Sequence, residues 1–212
     1  MMKCKKFYTG ALIASIALYS TNANAELHKA SISAGYYDQT TEFNLLGISV
    51  DADSDGIFFS GNIFINDNIS LGATIADGEV DDSIDIDTES TSFGVAYHFS
   101  RTDLRLGEGF GTMVGLLKQD SEVSVAGVGS VDTDTDNLVL GMSYGMGNGF
   151  TLNAGYNTDL DEPGDIYDFG FGIMKAFGNT IISADYFVGE VDDGGPLTAE
   201  VDGFQIRAGY LF

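Results

Sequence analysis

Residues 203–212 read GFQIRAGYLF, and they decide the fold. Phe204, Ile206, Ala208, Tyr210 and Phe212 share one parity, while Gln205, Arg207 and Gly209 share the other. Successive side chains of a β-strand point to opposite faces, so this stretch reads as a strand with one apolar, aromatic face and one small or polar face. The apolar face holds the bulk. A strand in a soluble sandwich turns such a face inward to a shared core. The question is which way this one turns.

The other end of the chain answers it. MMKCKKFYTGALIASIALYSTNANA, residues 1–25, has a basic start (Lys3, Lys5, Lys6), an apolar stretch from Phe7 to about Leu18 and the small-residue exit Ala23-Asn24-Ala25. This is the layout of a secretory signal peptide, cut before Glu26 and too short for a stable membrane-spanning helix. Cys4 precedes the apolar stretch, so it is not placed like the acylated cysteine of a lipoprotein, and residues 26–212 contain no cysteine and no disulfide. Residues 26–212 read as one domain.

Between these ends no segment has a convincing helical period, and period-two alternation recurs ten times. The runs cover about 27–38, 55–65, 69–80, 88–99, 109–122, 132–146, 150–161, 165–177, 180–191 and 199–212. A tilted membrane-crossing strand needs about 9–11 residues. Short turns (Asn66-Asp67-Asn68, Gly147-Asn148-Gly149, Gly178-Asn179) alternate with longer acidic connections. The segment SRTDLRLGEG, residues 100–109, is the longest turn and the least sharply bounded. One parity collects Ile57, Phe59, Ile63 and Ile65; Phe93, Val95, Tyr97 and Phe99; Tyr167, Phe169, Phe171 and Ile173. The opposite parity is rich in Gly, Ser and Asn. Apolar outside and small or polar inside predicts a transmembrane, antiparallel, up-and-down β-barrel of ten strands, with eight as the alternative count. With ten strands both termini lie on the turn side, which is the periplasmic side of an outer membrane.

The signal peptide, the ten runs and the terminal AGYLF together resemble the small single-domain outer-membrane β-barrel (porin-like) proteins of Gram-negative bacteria. Segments 50–82 (VDADSDGIFFSGNIFINDNISLGATIADGEVDD) and 94–106 (GVAYHFSRTDLRL) resemble an acidic-looped sub-family that includes an activator-type outer-membrane protein from Xanthomonas. The resemblance implies an outer-membrane location. It also implies that the final strand, through Phe204, Ile206, Tyr210 and Phe212, is read by the barrel-assembly machinery. The ten-strand count departs from the eight-stranded OmpA-type domain, so details of that lumen are not carried over. A monomer is expected.

Charge is distributed as unevenly as hydrophobicity. Of the 9 basic residues, three fall in 1–25, and none of the 32 acidic residues do, leaving 6 basic and 32 acidic groups in 26–212. That sign excludes binding of nucleic acid through its phosphates. The 10 Tyr and 15 Phe argue against the disorder that acidity alone suggests. The acids also keep a register. In VDTDTDNLVLGMSY, residues 131–144, Asp132, Asp134 and Asp136 share parity with Leu138, Leu140, Met142 and Tyr144. The same register meets Asp38 and Glu42; Asp51, Asp53 and Asp55; Asp77, Glu79 and Asp81; Asp85, Asp87 and Glu89; Asp120 and Glu122; Glu162; Asp165; Glu190 and Asp192; Glu200 and Asp202. An aspartate at the centre of a bilayer costs about 2.5–3.5 kcal/mol, so these strands must leave the membrane before the acids begin. The expected object is an outward-facing acidic collar, with the lipid boundary near Asn137.

Carboxylates on neighbouring strands, about 4.8 Å apart, can share a hard divalent cation. Asp51, Asp53, Asp55, Asp85, Asp87, Asp132, Asp134 and Asp136 are the candidate Ca²⁺ or Mg²⁺ ligands, with lipopolysaccharide phosphates as the natural counter-group. A solvated, mutually repelling surface is the plainer reading. DADSDG, residues 51–56, opens like an EF-hand loop, but its twelfth position is Asn62 and a strand follows. No organic cofactor is expected. The candidate lumen groups are Lys29, His98, Gln119, Asp168, Asp185, Gln205 and Arg207, mixed with Phe58, Phe64, Met113 and Leu117. They either pair across a filled interior or line a narrow path for small polar solutes. The two histidines, His28 and His98, sit away from the acidic loops, and neither a GxSxG elbow nor metal-ligand spacing is present. The sequence therefore predicts a barrel with a structural or surface-interaction role, a narrow channel as the alternative, and no enzyme.

Overall fold

A computed structural model of the chain describes residues 30–45, 48–80, 86–100, 108–125, 129–146, 148–161, 166–192 and 197–212. Residues 1–25 lie outside the described residues, as do Lys29, Asp81, Asp85, Arg101, Arg105, Glu162 and Asp165. The described residues form ten strands: β1 Ala30–Leu45, β2 Ile48–Phe64, β3 Ile69–Val80, β4 Ile86–Ser100, β5 Glu108–Val125, β6 Gly129–Met146, β7 Phe150–Asp159, β8 Ile166–Phe177, β9 Thr180–Asp192 and β10 Leu197–Leu211. Each pairs antiparallel with its sequence neighbour, and β1 pairs with β10 to close the barrel. Closure satisfies every strand edge within the hydrocarbon, which is what allows a sheet to cross a bilayer. The strand count is ten, and the alternative of eight is excluded.

Side-chain alternation runs along the strands and lapses at the far ends of β5, where 121–125 are all half-buried, and β7, where 157–159 are all buried. Ile57, Phe59, Phe93, Phe171, Ile206 and Tyr210 are exposed on the outside, while Tyr37, Phe58, Leu117, Val139, Met174 and Phe187 are buried within. Exposed rings gather at the turn end: Tyr97 with Phe99 at 5.2 Å and Tyr210 with Phe212 at 5.1 Å, both edge-on. Lys175 lies 4.1 Å over the ring of Phe150. Aromatic and cationic side chains at this height match the interface between hydrocarbon and headgroups.

The turns follow from local chemistry. The Asn66 side chain accepts the backbone N–H groups of Asn68 and Ile69, each at 2.9 Å. Gly149 and Gly178 adopt φ of 81° and 63°, the left-handed region that glycine enters without strain. A β-bulge falls between His98 and Ser100, at the turn end of β4, where it disturbs no register above it.

Several strands are longer than the alternation predicted. β1 and β2 pair up to Leu45↔Ile48, where the sequence reading ended at 38 and began again at 55. β5 and β6 pair up to Val125↔Gly129. These extensions mix Thr, Ser, Asn and, on β1 and β2, acids with scattered apolar residues such as Phe43, Val50, Val123 and Val125, so the clean hydrophobic alternation is lost while the backbone ladder continues. β7 runs the other way and stops at Asp159.

Candidate functional site: the lumen and the acidic rim

Among the described residues a buried ion pair braces the lumen. Arg207 on β10 and Asp185 on β9 approach to 3.3 Å with side chains 1% and 2% exposed. Arg207 also donates its Nε–H to the Ser183 hydroxyl at 2.8 Å, Ser183 donates to Asp185 at 3.2 Å, and the Gln205 amide reaches the same carboxylate at 3.4 Å. Gly172, opposite Asp185 on β8, has no side chain because a Cβ there would overlap the carboxylate. A second buried pair lies toward the collar, where the Asn157 amide donates to Asp168 at 2.8 Å. Gln119 is buried on β5 and its amide donates to Ser121.

Bulk fills the space between these groups. Ala96, Met113, Leu117, Val139, Phe187 and Val201 form one buried cluster, and Tyr37, Phe58 and Ala76 another. Large side chains lie over Gly on neighbouring strands, for example Phe58 on β2 over Gly35, its ladder partner on β1. Such packing resembles the side-chain-filled interior of a small barrel more than an open porin.

His98 lies at the turn end, buried, with its Nε2 2.9 Å from the Ser70 hydroxyl and its ring 5.1 Å from Phe64. Serine and histidine at this distance are the first two members of a nucleophilic set. Here both are enclosed in the wall, with Ser70 1% and His98 4% exposed.

Above the belt, the outward register is acidic. Asp38, Glu42, Asp51, Asp53, Asp55, Asp77, Glu79, Asp87, Glu89, Asp120, Asp132, Asp134, Asp136, Glu200 and Asp202 are exposed, and Glu122 and Glu190 are half-buried. The ladder sets like charges directly opposite one another: Asp38↔Asp55, Asp77↔Glu89, Glu89↔Glu122, Asp120↔Asp134 and Glu200↔Glu190. Directly opposed like charges destabilise a sheet. Hydroxyls relieve part of this: Thr40 donates to Asp53 at 2.7 Å and Tyr167 to Glu190 at 2.7 Å. The Glu190 hydrogen bond, with some burial, pushes the Tyr167 phenol above its ordinary value. Lys118 reaches Asp134 at 3.5 Å and Asp120 at 4.0 Å. Among the described residues no three His, Cys, Asp or Glu side chains converge as a metal site. The candidate ligands Asp51, Asp53, Asp55, Asp87, Asp132, Asp134 and Asp136 are thus spread around the rim.

Parity alone identified the inward set but not its pairings. The sequence reading put Asn157 on the polar inner face without its pairing to Asp168, and it missed Ser183 and the buried Asp159. Each shares inward parity with a named lumen residue on its own strand or on the next one, and that was the available signal. It also missed Lys118 and the bond that Tyr167, read only as part of the apolar outer face, makes to Glu190, both of which depend on which strands meet at which height.

No protein-family model matches the chain, and comparison with curated proteins finds no match. Solved structures match its shape. The translocator domain of the autotransporter NalP from Neisseria meningitidis aligns with a TM-score of 0.53 at 12% identity, over 93% of this chain and 92% of that one. The outer membrane protease OmpT from Escherichia coli aligns with a TM-score of 0.51 at 12% identity, over 87% and 96%. Identity this low speaks for the fold alone. The closed ten-stranded wall, its apolar outer belt and these likenesses make the chain a membrane β-barrel of the outer-membrane type.

Proposed function

We propose that the protein is a sealed, non-enzymatic barrel of the Gram-negative outer membrane, with both termini periplasmic, that displays an acidic surface outside the cell. The observation that carries this reading is the filled lumen: Phe58 and Phe187 are fully buried, and the Arg207–Asp185 pair is shut off from solvent. Its test is planar-bilayer conductance of the refolded protein. No unitary steps are expected. Reproducible steps altered by Arg207→Ala or Asp185→Ala would instead establish the second reading, a narrow passive channel for small polar solutes. Asn153 favours that second reading, because both its amide atoms are buried in the wall without a partner among the described residues.

The collar is proposed to bridge Ca²⁺ or Mg²⁺ to lipopolysaccharide phosphates. Opposed carboxylates supply hard oxygen ligands, and their spread around the rim suits cations shared with lipid rather than held by protein alone. Ca²⁺ is expected to raise the unfolding temperature in lipopolysaccharide-containing membranes more than Na⁺ of matched ionic strength, and less so after Asp132, Asp134 and Asp136 are changed to Asn. Equal effects of the two salts remove the bridging. The likeness to the acidic-looped sub-family, and recognition of Phe204, Ile206, Tyr210 and Phe212 by the assembly machinery, belong to the same reading.

A further inference from the structure

β6 outgrows β7. Their ladder ends at Asn137↔Asp159, and the Leu160 N–H donates to the Asp136 carbonyl at 2.8 Å. Beyond that point β6 continues to Gly129 with β5 as its strand partner. Backbone groups of an antiparallel strand alternate sides with period two. The Asp136 carbonyl faces β7, so the N–H and C=O of Ser130 and Asp132 also face away from β5. Among the described residues no strand lies opposite them.

Such an edge is a template for another strand, and its side chains decide which strand is admitted. Asp132, Asp134 and Asp136 line its outer face, and Asp120 and Glu122 lie beside them on β5. A second copy of the ribbon would set carboxylate against carboxylate, the arrangement that repels. A strand with Lys or Arg at every second position sets a cation against each aspartate. On the inner face Thr133 and Thr135 ask only for small or hydroxylated neighbours.

We propose that the Gly129–Asp136 edge binds an extended basic peptide by strand addition, with Lys or Arg at alternate positions facing outward. This rests on the reading that the collar stands in water as a display surface, and it is independent of cation bridging. The probes are two peptides of equal composition, (Lys-Thr)₄ and Lys₄Thr₄, titrated against the full barrel refolded in phosphatidylcholine vesicles without lipopolysaccharide. The alternating peptide is expected to bind about tenfold more tightly, the sum of roughly three opposite-charge cross-strand pairs. It is also expected to slow exchange of the Ser130 and Asp132 amides. Ser130→Pro removes an N–H pointing away from β5 and keeps every acid, as an edge position tolerates. It should abolish the preference and leave Lys₄Thr₄ binding unchanged. Asp132, Asp134 and Asp136 changed to Asn should also lose the preference, which keeps the test decisive if the proline variant fails to fold. Equal binding of the two peptides, unprotected amides, or dimerisation through this edge without peptide would overturn the proposal. Conductance steps or a missing Ca²⁺ effect would overturn the readings above and leave this one standing.

Discussion

The same strands treat charge in two ways. Inside the belt, Arg207 and Asp185 are buried and joined, with Ser183 and Gln205 holding the remaining atoms in place. Above it, carboxylates stand exposed opposite carboxylates, as at Asp120↔Asp134 and Glu122↔Asp132. In a low-dielectric interior an unpaired ion is intolerable, whereas in water the same repulsion is small and screened. One alternation pattern therefore supports a rigid lumen and a strained but affordable rim.

The comparison is tested hardest from inside. Arg207→Ala strands the Asp185 carboxylate in the wall and should cost about 3–5 kcal/mol, read as a lower midpoint of urea unfolding in vesicles. A change indistinguishable from wild type would mean the pair is hydrated. Gly172→Ala should follow, costing roughly 1–3 kcal/mol because the added methyl displaces Asp185. At the rim the sign reverses: Asp132→Asn removes the opposition to Glu122 and should stabilise by about 0.2–1 kcal/mol at low salt, with the gain fading in 1 M salt. Equal gains at both salts would mean the rim is not repulsive.

Tyr167→Phe should cost about 0.5 kcal/mol, since the lost hydrogen bond lies near the surface. Because the folded phenol titrates above its ordinary value, its contribution is complete below about pH 10 and is lost as pH rises past it. The wild-type protein should weaken there more steeply than the Phe variant, which keeps the chain's other tyrosines, as followed by thermal unfolding. Lys118→Ala should be smallest, at about 0–1 kcal/mol, for an exposed ion pair.

Much of this was legible because a barrel wall repeats one simple rule. Period two, read outward from Phe204, Ile206, Tyr210 and Phe212, was enough to find ten strands and to divide residues between lipid and lumen. It failed where hydrophobicity stopped marking the strand. Residues 39–45 and 48–54 carry polar groups on both faces, and what keeps them paired is the backbone ladder, which leaves no trace in side-chain type. Partners were also hidden, since whether Arg207 meets Asp185 or Asp168 depends on the stagger between strands. That stagger is a property of the closed barrel.

The short reach of β7 has a mechanical consequence. A barrel is often imagined as weakest where the chain ends meet, yet β1 and β10 are zipped from Ser31↔Leu211 to Leu45↔Leu197. β7 is held only from Asn137↔Asp159 to Gly145↔Thr151 on one side and from Phe150↔Lys175 to Thr158↔Tyr167 on the other. It is the short stave of the cask. Under heat, tension or a passing chaperone, the wall should part first beside β7 and last at its own seam.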